Sequence, residues 1–352
     1  MGRTGSETLD LETSGRLRPK SANRPALLIA VWLLMLPALA LAADPPALRL
    51  ASDTWPPFTD APEGVRIAVE LVHTALERAG VQATTTIVDW RDVEAGIRNA
   101  TFDGSAAMWR TTERERDLVF SAPYLENRLV LVGRKGSDVA ATRISDLAGK
   151  RVAAVGRYAY GEEIEKAVGV HFVGGRNDQD DLTKLLAGEV EYMLVDELVS
   201  RYLVANQPEE AAANLEIGTT PLARRTLHLA IRRDVPGAEE IVDAFNKEIR
   251  GMLTDGTYAK ILQIAWIQVD VNGDGLDELV PIGDTVGRAP PTSVYDVFGE
   301  MPETDPEKQR IFIQGSIFEG WDAIPEQYKA RGPADNNDVV FHQGNTVFTL
   351  QF

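Results

Sequence analysis

The densest set of oxygen donors in the sequence is Asp270-Val271-Asn272-Gly273-Asp274-Gly275-Leu276-Asp277-Glu278. Side-chain oxygens fall at positions 1, 3, 5 and 9 of this run (Asp270, Asn272, Asp274, Glu278), with glycine at position 6 and the Leu276 carbonyl at position 7. Calcium takes about six to eight oxygens on a tight loop, and the glycine permits the turn, so the pattern predicts a structural Ca2+. Position 12 is Pro281, where a regulatory EF-hand carries its bidentate glutamate. Other chemistries are poorly supported. The chain has no cysteine, which removes disulfides, Cys-ligated zinc and thiol nucleophiles. His73, His171, His228 and His342 are scattered without ligand spacing and read as structural. Gly-x-Ser-x-Gly and P-loop patterns are absent.

Elements that could carry a second site are legible in the hydrophobic pattern. The 352 residues, 44% hydrophobic and 25% charged, leave room for two domains and exclude a disordered or multi-span membrane chain. A net charge of −17 disfavours nucleic acid and anionic membrane surfaces. Arg24, the apolar run Ala26 to Leu41, and Ala40-Leu41-Ala42 together predict a secretory signal peptide over residues 1–42, cut after Ala42 and delivering the chain to the periplasm. The alternative, a membrane anchor, is disfavoured because the run has 16 residues and is broken by Pro37, short of the ~20 needed to span. Leu48 to Ser52 alternates as a strand and stops at Asp53-Thr54-Trp55-Pro56-Pro57-Phe58, where two prolines make a rigid loop. Ile67, Leu71, Ala75 and Ala79 share one helical face that ends at Gly80. Strands over 84–88 and 105–109 flank a helix opened by Asp89. A second series follows: strands at 151–155, 170–173 and 192–195, helices at 161–168 and 182–187, then a strand at 227–231 and helices over 241–252 and 257–266. This alternation predicts an α/β fold, with ligands at the carboxyl ends of the strands. Beyond Trp266 the composition shifts to acidic, Gly-rich and Pro-rich, and a small β-containing appendage is expected over 268–352.

Read in order, several stretches resemble a bacterial periplasmic solute-binding protein of family 3. They are Leu48-Arg49-Leu50-Ala51 with Trp55-Pro56-Pro57-Phe58, Asp89-Trp90, Phe102-Asp103-Gly104, Thr111-Thr112-Glu113-Arg114 and Phe120-Ser121-Ala122-Pro123-Tyr124. Asp146 to Val152, Leu186-Ala187-Gly188-Glu189-Val190, Val195-Asp196 and Asp255-Gly256-Thr257-Tyr258 continue the series. The resemblance covers about 47–267 and implies a type II periplasmic-binding fold with two hinge crossovers near 129–132 and 227–231. Lobe one would be 47–130 plus 230–267 and lobe two 133–226. Such proteins close on a ligand by hinge bending and present it to a membrane permease, for ABC-type import, or to a sensor. The loop at 270–278 in turn resembles the short Asp-x-Asn-x-Asp-Gly loops of extracellular calcium modules.

The resemblance also assigns roles to residues. Arg114 matches the arginine that clamps a ligand carboxylate, a task suited to a planar guanidinium with two parallel donors. Its alternative is one charge in a solvated Glu113-Arg114-Glu115-Arg116 run. Thr111 stands beside the clamp. Asp196 matches the acid that takes an α-ammonium, or else caps a helix. Trp55 and Trp90 match the walls around the ligand side chain, or else are core residues. The chain departs from the pattern at Ala107 and Trp109, and at Gly156-Arg157-Tyr158-Ala159-Tyr160, where small or hydroxyl residues are replaced by aromatics. The expected ligand therefore bears a carboxylate and an aromatic, flat or cationic side group. The expected protein is a monomer and not an enzyme. A dehydratase on the same fold, using Asp196 or Glu197 as its acid, is the catalytic alternative.

Overall fold

The computed structural model describes residues 47–207 and 212–283, and beyond them 286, 289–290, 295–298, 309–329, 339–343 and 346–350. The signal-peptide segment lies outside these residues. No described helix is long and apolar enough to cross a membrane.

The first half begins with β1 (Leu48–Ser52), whose alternation buries Leu48 and Leu50 and leaves Arg49 in solvent. Helix α1 (Ile67–Arg78) returns the chain and buries Ile67, Leu71, Val72, Ala75 and Leu76 on one face. It ends at Gly80, whose φ of +75° favours a residue without a side chain. β2 (Ala83–Ile87), α2 (Trp90–Arg98) and β3 (Gly104–Trp109) follow, and β3 is buried throughout. β4 (Leu118–Phe120) precedes the long strand β5 (Leu125–Arg134). The second half holds β6 (Arg151–Val155), α3 (Glu162–Glu165), β7 (His171–Gly175), α4 (Asp178–Leu186), β8 (Tyr192–Asp196), α5 (Glu197–Ala205) and β9 (Leu215–Ile217). The chain comes back through β10 (Ala223–Arg232), α6 (Ala238–Thr254) and α7 (Thr257–Leu262).

These strands form one sheet in the order β2-β1-β3-β10-β5-β8-β6-β7, with β4 on β10 and β9 on β5. β1, β2 and β3 are mutually parallel, as are β6, β7 and β8, while β5 and β10 run antiparallel to their neighbours. Ala223–Leu227 of β10 pairs with Leu125–Leu129 of β5, and each strand then continues into a different half, β10 against β3 and β5 against β8. The crossing thus lies about four residues earlier on both strands than the sequence suggested. The apolar runs at 129–132 and 227–231 mark where each crossover is already buried in its own half. Close packing within the first half shows at Gly104, where a Cβ would fall 2.0 Å from the carbonyl oxygen of Ala230.

Two local expectations need correction. The helix expected over 161–168 is the single turn α3, because Gly161 and Gly169, both at positive φ, bracket a segment with one buried anchor, Ile164. The helix expected to run to Trp266 stops at Leu262, and Gln263 takes a φ of +57°. Trp266 instead opens β11 (Trp266–Val269), which pairs with β12 (Glu278–Pro281). With β13 (Tyr295–Asp296), β14 (Arg310–Ile313) and β15 (Ser316–Glu319) they form a five-stranded sheet in the order β13-β11-β12-β14-β15. Its core is a separate apolar cluster of Trp266, Leu279, Val286, Ile311, Ile313 and Ile324. β16 (Val339–Gln343) and β17 (Thr346–Leu350) form a hairpin. The appendage is therefore built of strands, as its alternating runs suggested.

Candidate functional site

The carboxyl ends of β1, β3 and β6 converge where the two halves of the sheet meet, and a cavity opens there. It is lined by Asp53, Trp55, Trp90, Trp109, Arg114 and Tyr158, with Ala107, Met108, Ala159 and Leu227 filling gaps. Five of the seven ligand residues expected from sequence thus share one cavity, and Thr111 and Asp196 do not line it. The cavity is small, about 20 Å³, because the rings pack against one another across it.

Arg114 is held by the protein's own groups. It sits on a short 3-10 turn after β3, with its backbone N–H donating to Thr111 Oγ1 at 3.2 Å. Its Nη1 donates to the Trp109 carbonyl at 2.9 Å and its Nη2 to Glu94 Oε1 at 3.3 Å, while its Cζ lies 5.0 Å from the Trp90 ring. Burial pulls its pKa down and Glu94 opposes this. Thr111 therefore positions the turn. The run of charges around Arg114 does not make it a solvated residue, since its side chain is 16% exposed.

Aromatic rings form the walls. Trp55 is buried, and its N–H donates to the Thr59 carbonyl across the proline-bound loop. Its ring lies 5.8 Å from Trp109 at 83°. Trp90 opens α2 and carries a buried indole N–H with no partner among the described residues. Trp109 Nε1 donates to Asn127 Oδ1 at 2.7 Å, and Asn127 Nδ2 donates to Asp196 Oδ2 at 3.1 Å, a relay that ties β3 to β8 through β5. Tyr160 is buried, and its hydroxyl accepts the Val155 N–H at 3.0 Å.

Asp196 works as a helix cap. Oδ1 accepts the N–H groups of Leu198 and Val199 at the start of α5, and Oδ2 accepts Asn127 Nδ2 and the Arg128 N–H. Burial raises this carboxyl to about 7 against those donors. All its acceptor directions are taken, so the ammonium role expected from the resemblance has no free oxygen here. Glu197 is likewise engaged by Arg201, at 2.9 Å. Two carboxyls to which the sequence assigns no role face the aromatic cluster instead. Asp53 accepts the Tyr158 hydroxyl at 2.8 Å and is raised by burial. Asp178, the first residue of α4, is raised well above the usual carboxylate range by burial and by Asp181, Asp53 and Asp196. Asp53 stands two residues before Trp55 in the loop that sequence reading had singled out; Asn127 and Asp178 carry no local signal.

The calcium-type loop takes a different form from the one expected. Asp270 Oδ1 accepts the N–H groups of Asn272 and Gly273, and Oδ2 that of Gly275. Asp274 instead pairs with Arg310 of β14, Nη1 at 3.1 Å and Nη2 at 2.9 Å, and Arg310 Nη2 also lies 2.9 Å from buried Glu278 Oε1. Asn272 Nδ2 donates to Asp274 Oδ2, and Leu276 is exposed. Among the described residues no three His, Cys, Asp or Glu side chains converge as a metal site. Arg310 thus supplies the positive charge that balances Asp274 and Glu278 in this arrangement, while Asp270 keeps one acceptor direction beyond its three backbone donors.

Residues 48–268 match the family described as bacterial extracellular solute-binding proteins, family 3. The chain is 27% identical over 225 residues to the L-cystine-binding protein TcyJ of Escherichia coli (strain K12), covering 62% of this chain and 81% of that one. It is 25% identical over 248 residues to the lysine/arginine/ornithine-binding periplasmic protein of the same strain, covering 67% and 94%. The solved structure of an ancestral arginine-binding protein bound to arginine superposes with a TM-score of 0.53 at 26% identity, covering 62% of this chain and 97% of that one. The family match stops where the appendage begins. The fold, the cleft between two halves of one sheet and the match over 48–268 together make this chain a member of the family 3 bacterial extracellular solute-binding proteins.

Proposed function

We propose that the protein captures a small ligand bearing a carboxylate and a cationic or flat side group, an amino acid or a derivative, and delivers it to an ABC-type membrane permease. Arg114 carries this reading. It is a guanidinium fixed by Trp109 and Glu94 at the wall of a cavity lined by three tryptophans, and it offers a carboxylate a charged donor set there. The unpartnered indole N–H of Trp90 is a second donor in the same lining. Trp55, Trp109 and the carboxylate of Asp53 suit a cation, which ring faces attract by about 0.5–2 kcal/mol each. In this reading Asp53, not Asp196, meets the cationic part of the ligand. The names of the relatives, which bind cystine and basic amino acids, support the ligand class. Binding without catalysis fits the engaged state of Asp196 and Glu197. Action in the periplasm would follow cleavage after Ala42.

The test is a thermal-shift and calorimetric screen with L-arginine, L-lysine, L-cystine and L-glutamate. A basic or disulfide-bearing amino acid is expected to raise the unfolding temperature, since a ligand selective for the native state stabilises by mass action. Arg114→Ala should weaken that binding by about 2–5 kcal/mol. Equal affinity in Arg114→Ala would remove the clamp, and a preference for L-glutamate would overturn the side-group assignment.

A further inference from the structure

A side chain of the protein itself stands in this cavity. Tyr158 comes from the turn after β6, in the second half of the sheet, next to Tyr160, and the three tryptophan rings it meets all belong to the first half. Its ring lies 5.6 Å from Trp109, 5.8 Å from Trp55 and 6.3 Å from Trp90, each near-perpendicular, the edge-to-face geometry that aromatic pairs favour. Its hydroxyl donates to Asp53 Oδ2 at 2.8 Å. A flat group thus stands among three tryptophans and gives a donor to the carboxylate at their base. The turn that delivers it is strained, for Arg157 takes a φ of +73° without being glycine. Such a conformation persists where the surroundings over-determine it, and here the neighbouring ring is what the surroundings hold.

We propose that Tyr158 is a resident occupant of the ligand's side-group position, which closes the cleft in the absence of ligand and must be displaced when ligand enters. The displacement half of this statement rests on the solute-binding reading; the closure half does not. An entering group has to replace both contacts of the phenol, the ring packing and the donor to Asp53. A guanidinium does so, being flat, cationic and rich in N–H donors. A small acid or glycine replaces neither. Tyr158 therefore sets specificity by competition, and the apparent affinity of any ligand falls by the fraction of molecules in which Tyr158 is withdrawn.

The absence of native cysteine allows a direct test. Spin labels at Glu77→Cys on α1 and Glu189→Cys after α4, both exposed, report the distance between halves in the ligand-free protein. The parent should give one short, narrow distribution. Tyr158→Phe should broaden it, and Tyr158→Ala should move it to longer distance. A Tyr158→Ala distribution identical to that of the parent overturns the proposal. Should Tyr158→Ala not fold, Tyr158→Phe and Asp53→Asn decide, and unchanged distributions in both overturn it. Titration with L-arginine, followed by tryptophan fluorescence, is expected to show at least tenfold tighter binding in Tyr158→Ala. Weaker binding would make Tyr158 a wall of the ligand site and overturn displacement. If L-arginine binds no variant, the basic-ligand reading fails while the distance measurement still decides closure.

Discussion

His228 shows how a crossover strand sets a proton equilibrium. It is buried on β10, with Nδ1–H donating to the Ser121 carbonyl at 2.8 Å and Nε2 accepting from Thr226 Oγ1 at 2.7 Å. Burial lowers its pKa from 6.5 to about 4. The unfolded chain therefore binds the proton first as pH falls. His228 contributes its full stability above about pH 6.5 and loses about 3 kcal/mol of it by about pH 4. Urea unfolding of the parent and of His228→Asn at pH 7.5, 5.5 and 4 (about the two ends and middle of that window) should show a steeper acid loss in the parent. Parallel losses would assign the effect to other groups. This histidine read as structural from its isolation alone, and the geometry agrees. Arg114 and the tryptophans were legible because each sits in a short ordered context, a Thr three residues before the arginine or two prolines after Trp55. Asp53, Asn127 and Asp178 were not, since their partners come from elements far along the chain, as Tyr158 lies 105 residues from Asp53. Asp196 was legible in place and ambiguous in role: a strand-end aspartate reads equally as ligand contact or cap, and only its four donors decide.

Elements were most legible where burial is one-sided. Helices α1 and α6 announce themselves by a 3.6-residue stripe, whereas α3 lacks one and the crossovers are apolar on both faces over much of their length. The 270–278 run reads from its donors as a calcium-type loop after a helix; it joins β11 to β12 instead, and its charge balance depends on Arg310, which arrives on β14 beside β12. Arg310 draws the Asp274 carboxyl down to about 2. Two cations compete in principle for one set of oxygens, and the resident one is covalently supplied. Arg310→Met should lower the stability of the C-terminal sheet by on the order of 2 kcal/mol, less than for a fully buried pair because Arg310 is partly exposed. Calorimetry in calcium and in chelator should give superimposable curves for the parent and a calcium-dependent rise for Arg310→Met. A calcium rise in the parent would return the ion to the loop.

At the scale of the molecule, the two halves differ in how the chain assembles them. The second half is continuous, running from β6 to β9 between the crossovers. The first half is split: β1 to β4 wait for β10, α6 and α7. Arg78 on α1, for example, donates to Asp255 and Thr257, 177 and 179 residues away. Composition and alternation gave the α/β class, and the ordered motifs gave the two-lobed arrangement, but the return of the chain was visible only as an early end to the second series. The split has a consequence in time. Closing a long loop costs entropy before its contacts are gained, so the continuous half should gain structure first. Pulse-labelled hydrogen exchange during refolding should protect β6 and β8 before β1 and β3, and simultaneous protection would make the halves one cooperative unit. During synthesis at about 5–20 residues per second, the stretch from the first crossover to α7 takes on the order of ten seconds. For that interval β3 lacks its partner β10 and α1 lacks the cover of α6, and the half-made protein is an unpaired edge awaiting its own last helices.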